Sequence, residues 1–257
     1  MYPQLTTGAY SQFPAGKQRQ TRTVTNTAAD GSSIKLADPN GAFTEWQLRY
    51  QGLSDTELSS LQQFFMLSEG SLNGFTFLDP SGNLLAWSED LTNAVWEPGP
   101  LLAIAGAVAD PLGGTNAFQL TNSGEGAQNV SQTLNVPTGY IYSFSIYVQA
   151  AQATAVTLLL GSNSAVATAG PNWSRISLSG SGDPTAASVV FGIQMPPGVI
   201  DIFGPQVEAQ PTPSAYQEST TGGVYADARF GDDTFSFTTT DVNRHSATVN
   251  IVYANHL

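Results

Sequence analysis

The clearest periodic stretch lies at 54–80. Leu58, Leu61, Phe64 and Phe65 recur at helical spacing and form one apolar stripe. Ser54 stands before them with Glu57 three residues on, the pattern of a capping box, and Asp55 and Glu57 suit the positive end of the helix dipole. Gly70 predicts the stop, and 74–78 (GFTFL) alternates as a strand ended by Asp79 and Pro80. An amphipathic helix needs a sheet to cover its stripe. Upstream, 19–27 alternates, Asp30-Gly31 is a hairpin turn, and 32–38 returns. A second turn is expected at Pro39-Asn40-Gly41, followed by a strand over 43–50. Residues 1–19 read as an extended polar arm with little core of its own, able to reach a neighbouring molecule.

Beyond Asn83 the pattern changes to short apolar alternations at 117–121, 129–136, 140–149, 155–160, 173–179, 187–194 and 199–207. Clusters of Gly, Pro and Ser separate them. Strands at this spacing predict a β-sandwich. Pro211, Pro213 and 220–223 (TTGG) read as an exit linker. Further strands at 224–230, 234–238 and 247–253 cannot stand alone and should rejoin the sheet begun before residue 80. The predicted fold class is therefore mainly β: a split domain, 1–83 with 221–257, holding one helix and interrupted at 84–220 by a jelly-roll sandwich.

Charge sharpens this boundary. Seven of the eight Lys and Arg residues lie outside 84–220, where only Arg175 occurs, and no lysine follows Lys35. The net charge of −12 argues against a nucleic-acid footprint. With no cysteine there are no disulfides or thiolate metal sites. The first residues lack the basic flank and apolar run of a signal peptide, and no stretch is long and apolar enough for membrane insertion as a helix.

The outer segments resemble the distal tail protein of long-tailed phages, of the lambda minor tail protein M type. The resemblance rests on the strand hairpin, WQLRY at 46–50, the Leu58–Leu61–Phe64–Phe65–Gly70 helix, FTFLDP at 75–80 and the closing strand at 247–253, about 120 residues together. The insert resembles the carbohydrate-binding-module-like jelly rolls of phage virion proteins. The matching pieces are NLLAWSEDLTNAVW at 83–96, YSFSIYVQA at 142–150, NWSRISL at 172–178, FGPQVEA at 203–209 and PSAY at 213–216. What this implies is a virion protein of the tail tip, made in the host cytoplasm. It would form a homo-oligomeric ring, a hexamer, between a tail tube protein and a tail hub protein, and project a module for host-surface glycan. The alternatives are a stand-alone carbohydrate-binding protein and a tail polysaccharide-degrading enzyme.

Candidate chemistry is sparse, and no catalytic residue is assigned. A Ser-His-Asp set would have to use His245 or His256, and His245, in a polar turn, reads as an exposed side chain. Gly16-Lys17 lacks the upstream glycine of a phosphate loop. Paired carboxylates could hydrolyse glycosides, but Glu89, Asp90, Glu97 and Glu125 fall in turns, where solvated acids are ordinary. No cofactor is expected, apart from a structural calcium for which Asp90, Asp110, Asp201 and Glu208 offer oxygen ligands; no loop has the spacing of a calcium motif. Strand parity puts Tyr142, Phe144, Ile146 and Val148 on one face of 140–149, with Ser143, Ser145, Tyr147 and Gln149 opposite. The same rule sets Trp173, Arg175 and Ser177 opposite Ile176 and Leu178. Tyr147, Trp173 and Arg175 are thus candidates for a sugar platform, since ring faces stack on C–H surfaces while polar groups bind hydroxyls. The plain reading has Trp173 closing a sandwich end and Arg175 pairing a surface acid. Trp96, in the entry loop, is added to the platform, its plain reading being a lid over the core.

Overall fold

The structure, a computed structural model, describes residues 1–254. In chain order the elements are β1 (Gly16–Thr27), β2 (Ser33–Leu53), α1 (Asp55–Leu67) and β3 (Phe75–Leu78). The middle of the chain holds β4 (Glu97–Pro98), β5 (Leu102–Val108), β6 (Ala117–Asn122), β7 (Gln128–Leu134), β8 (Ile141–Gln149), β9 (Thr154–Leu160), β10 (Asn163–Ala169), β11 (Ser174–Ser181), β12 (Val189–Met195) and β13 (Gly198–Glu208). It closes with β14 (Val224–Phe230), β15 (Phe237–Asp241) and β16 (Arg244–Ala254). The chain divides into two compact units. One comprises 1–6, 10–77 and the residues from Tyr225 onward; the other comprises 7–9 and 78–224.

The first unit is built on one sheet of order β1-β2-β16-β14-β3, with β15 also paired to β16. The C-terminal strand does rejoin the N-terminal sheet: β16 pairs β2 antiparallel from His245↔Leu53 to Ala254↔Phe43. Parity follows the sequence pattern. Trp46, Leu48 and Tyr50 on β2 and Ala247, Val249 and Ile251 on β16 are buried, while their neighbours face outward. Pro39-Asn40-Gly41 is not a turn. It lies within β2, where the register with β1 slips between Gln20 and Arg22, so the extra residues bulge and bend one continuous hairpin.

Helix α1 begins as its sequence dictates. The Ser54 hydroxyl accepts from the Glu57 N–H, and Glu57 Oε2 accepts from the Ser54 N–H at 3.0 Å. Leu58 and Leu61 are buried; Phe64 and Phe65 are half-buried against Phe230, with centroids 5.7 and 5.0 Å away. The 1–19 arm departs from expectation. Tyr2, Leu5 and Tyr10 are buried, and the Tyr2 ring lies within 5.5–6.3 Å of Tyr10, Phe64, Phe75, Phe77 and Phe230. The first part of the arm enters the core, because two tyrosines bury more apolar area than the polar residues around them resist, while 16–19 are exposed in β1.

Glu57 ties the same arm to the helix, accepting from the Thr6 N–H at 3.0 Å and the Thr6 hydroxyl at 2.6 Å. Partial burial pushes its pKa up, but the hydrogen bonds from Thr6 and Ser54 outweigh this and hold it below the ordinary value. A depressed carboxylate pKa contributes stability that is present above the unfolded value, about 4.3, and is lost as pH falls through the folded value. Glu57→Ala should therefore cost about 1 kcal/mol at neutral pH. The gap in melting temperature between variant and parent should narrow as pH falls below about 4.3 and vanish once the folded carboxyl is protonated.

The second unit is a β-sandwich of two five-stranded antiparallel sheets, β10-β9-β12-β7-β4 and β11-β8-β13-β6-β5. Tyr142 and Phe144 of β8 meet Phe191 of β12 across the sheets at 5.6 and 6.3 Å. The short β4, and β5 and β10, were not read from the sequence; β5 and β10 are rich in Ala and carry few buried apolar side chains.

Candidate glycan-binding face

On the sheet carrying β8 and β11, the register places Arg175 directly opposite Tyr147, with Ser174 opposite Val148 and Ser177 opposite Ser145. The Arg175 guanidinium lies over the Tyr147 ring, 5.5 Å from its centroid, a cation–π arrangement. One terminal nitrogen donates to the Ser145 hydroxyl at 2.8 Å, and the other donates to the Ser214 carbonyl. Its Nε is buried with no hydrogen-bond partner. Tyr147 is half-buried, its ring 6.0 Å from Phe203, which in turn meets Tyr216 edge-on at 5.1 Å. Trp173 is half-buried and stands one residue before β11 begins.

The polar face that parity assigned to solvent is only partly open. Ser143 and Ser145 are fully buried. Their cover is the segment 209–217, which the sequence presents as a linker. It lies along β11 and β13: Ser179 donates to the Pro211 carbonyl, the Ser214 N–H donates to Glu208 Oε2 at 2.9 Å, and the Gln217 N–H donates to Gln206 Oε1 at 2.7 Å. Among the described residues Arg175 therefore pairs no acid; it holds a backbone carbonyl of this strap. The signal that could have shown it is the alternation of Gln206, Glu208 and Gln210 with apolar residues, three long polar side chains that need partners on one face.

Trp96 leaves the platform. It is buried, and its indole N–H donates to the Trp87 carbonyl at 3.0 Å, so it is a core residue of the entry loop. The four acids offered as calcium ligands are not brought together. Asp90 accepts from Thr92, Asp201 from Gln119, and Glu208 from Gln206, Gln210 and Ser214. Asp110 accepts backbone N–H groups from Leu112, Gly114 and Asn116 at 2.8–3.1 Å. Burial pushes the Asp110 pKa up, and these bonds outweigh it and hold it low. Among the described residues no three His, Asp or Glu side chains gather as a metal site would need.

His245 is buried, not exposed. One ring nitrogen lies 2.7 Å from Asp55 Oδ1 and the other 3.0 Å from the Thr239 hydroxyl, which fastens the helix N-terminus and β15 to β16. Asp55 is held again through its N–H, which donates to Asn243 Oδ1 at 2.7 Å. His256 lies outside the described residues. Among the described residues no helix is long and apolar enough to cross a membrane.

No protein-family model and no curated protein sequence matches the chain. Solved structures do. The enzymatically active domain of tailspike protein 4 of bacteriophage CBA120 is 16% identical, with a TM-score of 0.39; the match covers 51% of this chain but 22% of that one. The C-terminal family 22 carbohydrate-binding module of Clostridium thermocellum Xyn10B is 14% identical at a TM-score of 0.43, covering 54% of this chain and all of the module. A family 61 module, TmCBM61, solved with β-1,4-galactotriose, is 12% identical at 0.39, covering 49% and 98%. At scores of this size the likeness carries no function across to this chain.

Proposed function

We propose that this protein is a structural component of a phage tail tip, assembling as a ring between tail tube and hub proteins and carrying a glycan-binding sandwich for host attachment. It works on this reading by binding and assembly, not by catalysis. The ring role is supported by the discontinuous first unit, whose sheet is completed only when β16 enters between β2 and β14. That arrangement suits a scaffold into which a sandwich has been inserted. The observation that carries glycan binding is the Tyr147–Arg175 pair with Trp173 beside it. These are a half-buried tyrosine ring beneath a guanidinium and a half-buried tryptophan just before the same strand, and aromatic rings stack on sugar C–H surfaces.

A single site, partly covered by the 209–217 segment, should bind one glycan weakly, with Kd of about 1 mM. Copies on a ring would raise avidity by about 100-fold where spacing allows simultaneous contact. Trp173→Ala should reduce adsorption to host cells at least several-fold while leaving oligomer size unchanged. Equal adsorption by variant and parent would leave the sandwich as a spacer. The stand-alone carbohydrate-binding reading predicts a monomer at every concentration, which sedimentation distinguishes from a ring.

A further inference from the structure

The outward face of the first sheet holds an open groove of about 410 Å³, the size of a small-ligand site. Three strands form it. Register sets Gln51 of β2, Ser246 of β16 and Thr238 of β15 in one row, and Arg49 opposite Thr248 in the next. Ser236, just before β15, also lines it. The first row ends at a β-bulge. Gly52 is the extra residue between the pairs Leu53↔His245 and Gln51↔Ser246, and its φ of +70° is one that favours glycine. The Gln12 amide satisfies the Gln51 backbone there, donating to its carbonyl at 3.0 Å and accepting from its N–H at 2.7 Å. The bulged strand is thus pinned without use of the Gln51 side chain.

Arg49 is oriented but not neutralised. Its Nε and one terminal nitrogen both donate to Gln47 Oε1, at 3.0 and 2.6 Å. Gln47 Nε2 donates to Asn250 Oδ1 at 3.4 Å, and Asn250 Nδ2 donates to Asp232 Oδ2 at 3.0 Å. The carboxylate in this chain of bonds therefore stands two amides away from the guanidinium. With one edge of the guanidinium on Gln47, the edge between its two terminal nitrogens keeps the parallel pair of N–H groups that a carboxylate accepts. Among the described residues none that lines the groove is acidic, in a chain with twenty acids and a net charge of −12. Nor does any hydrogen bond among the described residues occupy the side chains of Gln51, Ser236, Thr238, Ser246 or Thr248.

We propose that this groove binds a saccharide that carries a carboxylate. The end of the Arg49 guanidinium takes the carboxylate as a bidentate pair. The four hydroxyls and the Gln51 amide, each able to donate and accept, meet the hydroxyls of the sugar. One guanidinium balances one negative charge, which suits a carboxylate better than a phosphate dianion. The groove lies within the first unit, so this site is distinct from the Tyr147–Arg175 face and does not rest on it.

The test uses the full chain, with tri-galacturonate and tri-mannuronate as acidic probes and galactotriose as the neutral control. Binding is read by ligand-observed NMR at physiological ionic strength, where the negative charge of the rest of the protein is screened. At least one acidic trimer should bind with Kd of about 1 mM, and galactotriose at least about tenfold more weakly. Arg49→Gln should bring the acidic trimer to the level of the neutral one. Arg49→Lys should fall between, since an ammonium keeps the charge and loses the fork. Thr248→Val should weaken the acidic trimer by about threefold through loss of one hydroxyl. Trp173→Ala should leave this binding unchanged. The proposal is overturned if neither acidic trimer binds below about 10 mM, or if acidic and neutral trimers bind alike. Displacement of the trimer by an equal concentration of acetate would reduce the site to a bare anion contact, and loss of binding in Trp173→Ala would move the ligand to the sandwich; either result also overturns it.

Discussion

Tyr2→Ala is expected to destabilise the first unit by about 4 kcal/mol, and Tyr2→Phe by about 1–2 kcal/mol. Tyr2 is fully buried, its ring packs among five aromatic rings, and its hydroxyl lies 2.8 Å from that of Tyr50. The alanine variant removes the ring and leaves a cavity in a region that cannot collapse, because neighbours on β3, α1 and β14 are fixed by backbone pairing. The phenylalanine variant keeps the packing and strands only the Tyr50 hydroxyl, whose pKa burial already pushes up strongly. Urea unfolding followed by tryptophan fluorescence would show the difference, provided the two units are fitted as separate transitions. Trp46, 5.0 Å from Phe77, reports the first unit. If both variants unfold at the parent midpoint, the N-terminal arm is not part of this core.

Asn83→Ala should lower the stability of the sandwich by about 3–5 kcal/mol, a large effect for a residue in no strand. Asn83 is buried where the chain enters and leaves the sandwich. Its side-chain nitrogen donates to the Pro205 carbonyl at 2.8 Å, and its oxygen accepts from the N–H groups of Leu85 and Val207 at 3.1 and 3.0 Å. Alanine removes the partner of two buried N–H donors and of the Pro205 carbonyl, as well as a longer bond to the Gln217 carbonyl at 3.4 Å, and each buried group left unpaired costs about 1–3 kcal/mol. Entry and exit are joined further by the Leu84 N–H to the Val207 carbonyl and the Ser88 N–H to the Ser219 carbonyl. Gly204 completes the clasp. It has φ +58°, and an added Cβ would stand 2.9 Å from the Tyr216 ring, so neither the backbone nor the space admits another residue cheaply. Calorimetry on the full chain measures the Asn83→Ala effect; an unshifted sandwich transition would mean that other bonds alone set the strength of the clasp.

How much of this was legible in the sequence follows from the range of the forces involved. The capping box at Ser54 and Glu57, the Leu58–Leu61 stripe, the Asp30-Gly31 turn and the buried parity of Tyr142, Phe144, Ile146 and Val148 all depend on neighbours within a few residues. Their periodicity therefore states them. The return of 247–253 to the first sheet could be inferred because a lone pair of strands lacks a core. Parity also put Tyr147 and Arg175 on one face correctly. What parity cannot hold is register, and it was register that set Arg175 over the Tyr147 ring. Nor could it show that a proline-containing segment would cross that face and bury Ser143 and Ser145. Trp96 and His245 were misplaced for a related reason: each is buried by partners distant in sequence or by a loop with no period, Trp87 in one case and Asp55 and Thr239 in the other. Composition marked 1–19 as a polar arm, yet two tyrosines decided its place, since burial of a large ring outweighs the average polarity of the segment carrying it. Local pattern thus determined the elements and the faces they present. Only the tertiary structure decided which faces stay open to a partner, because exposure depends on all the chain that folds back over a residue.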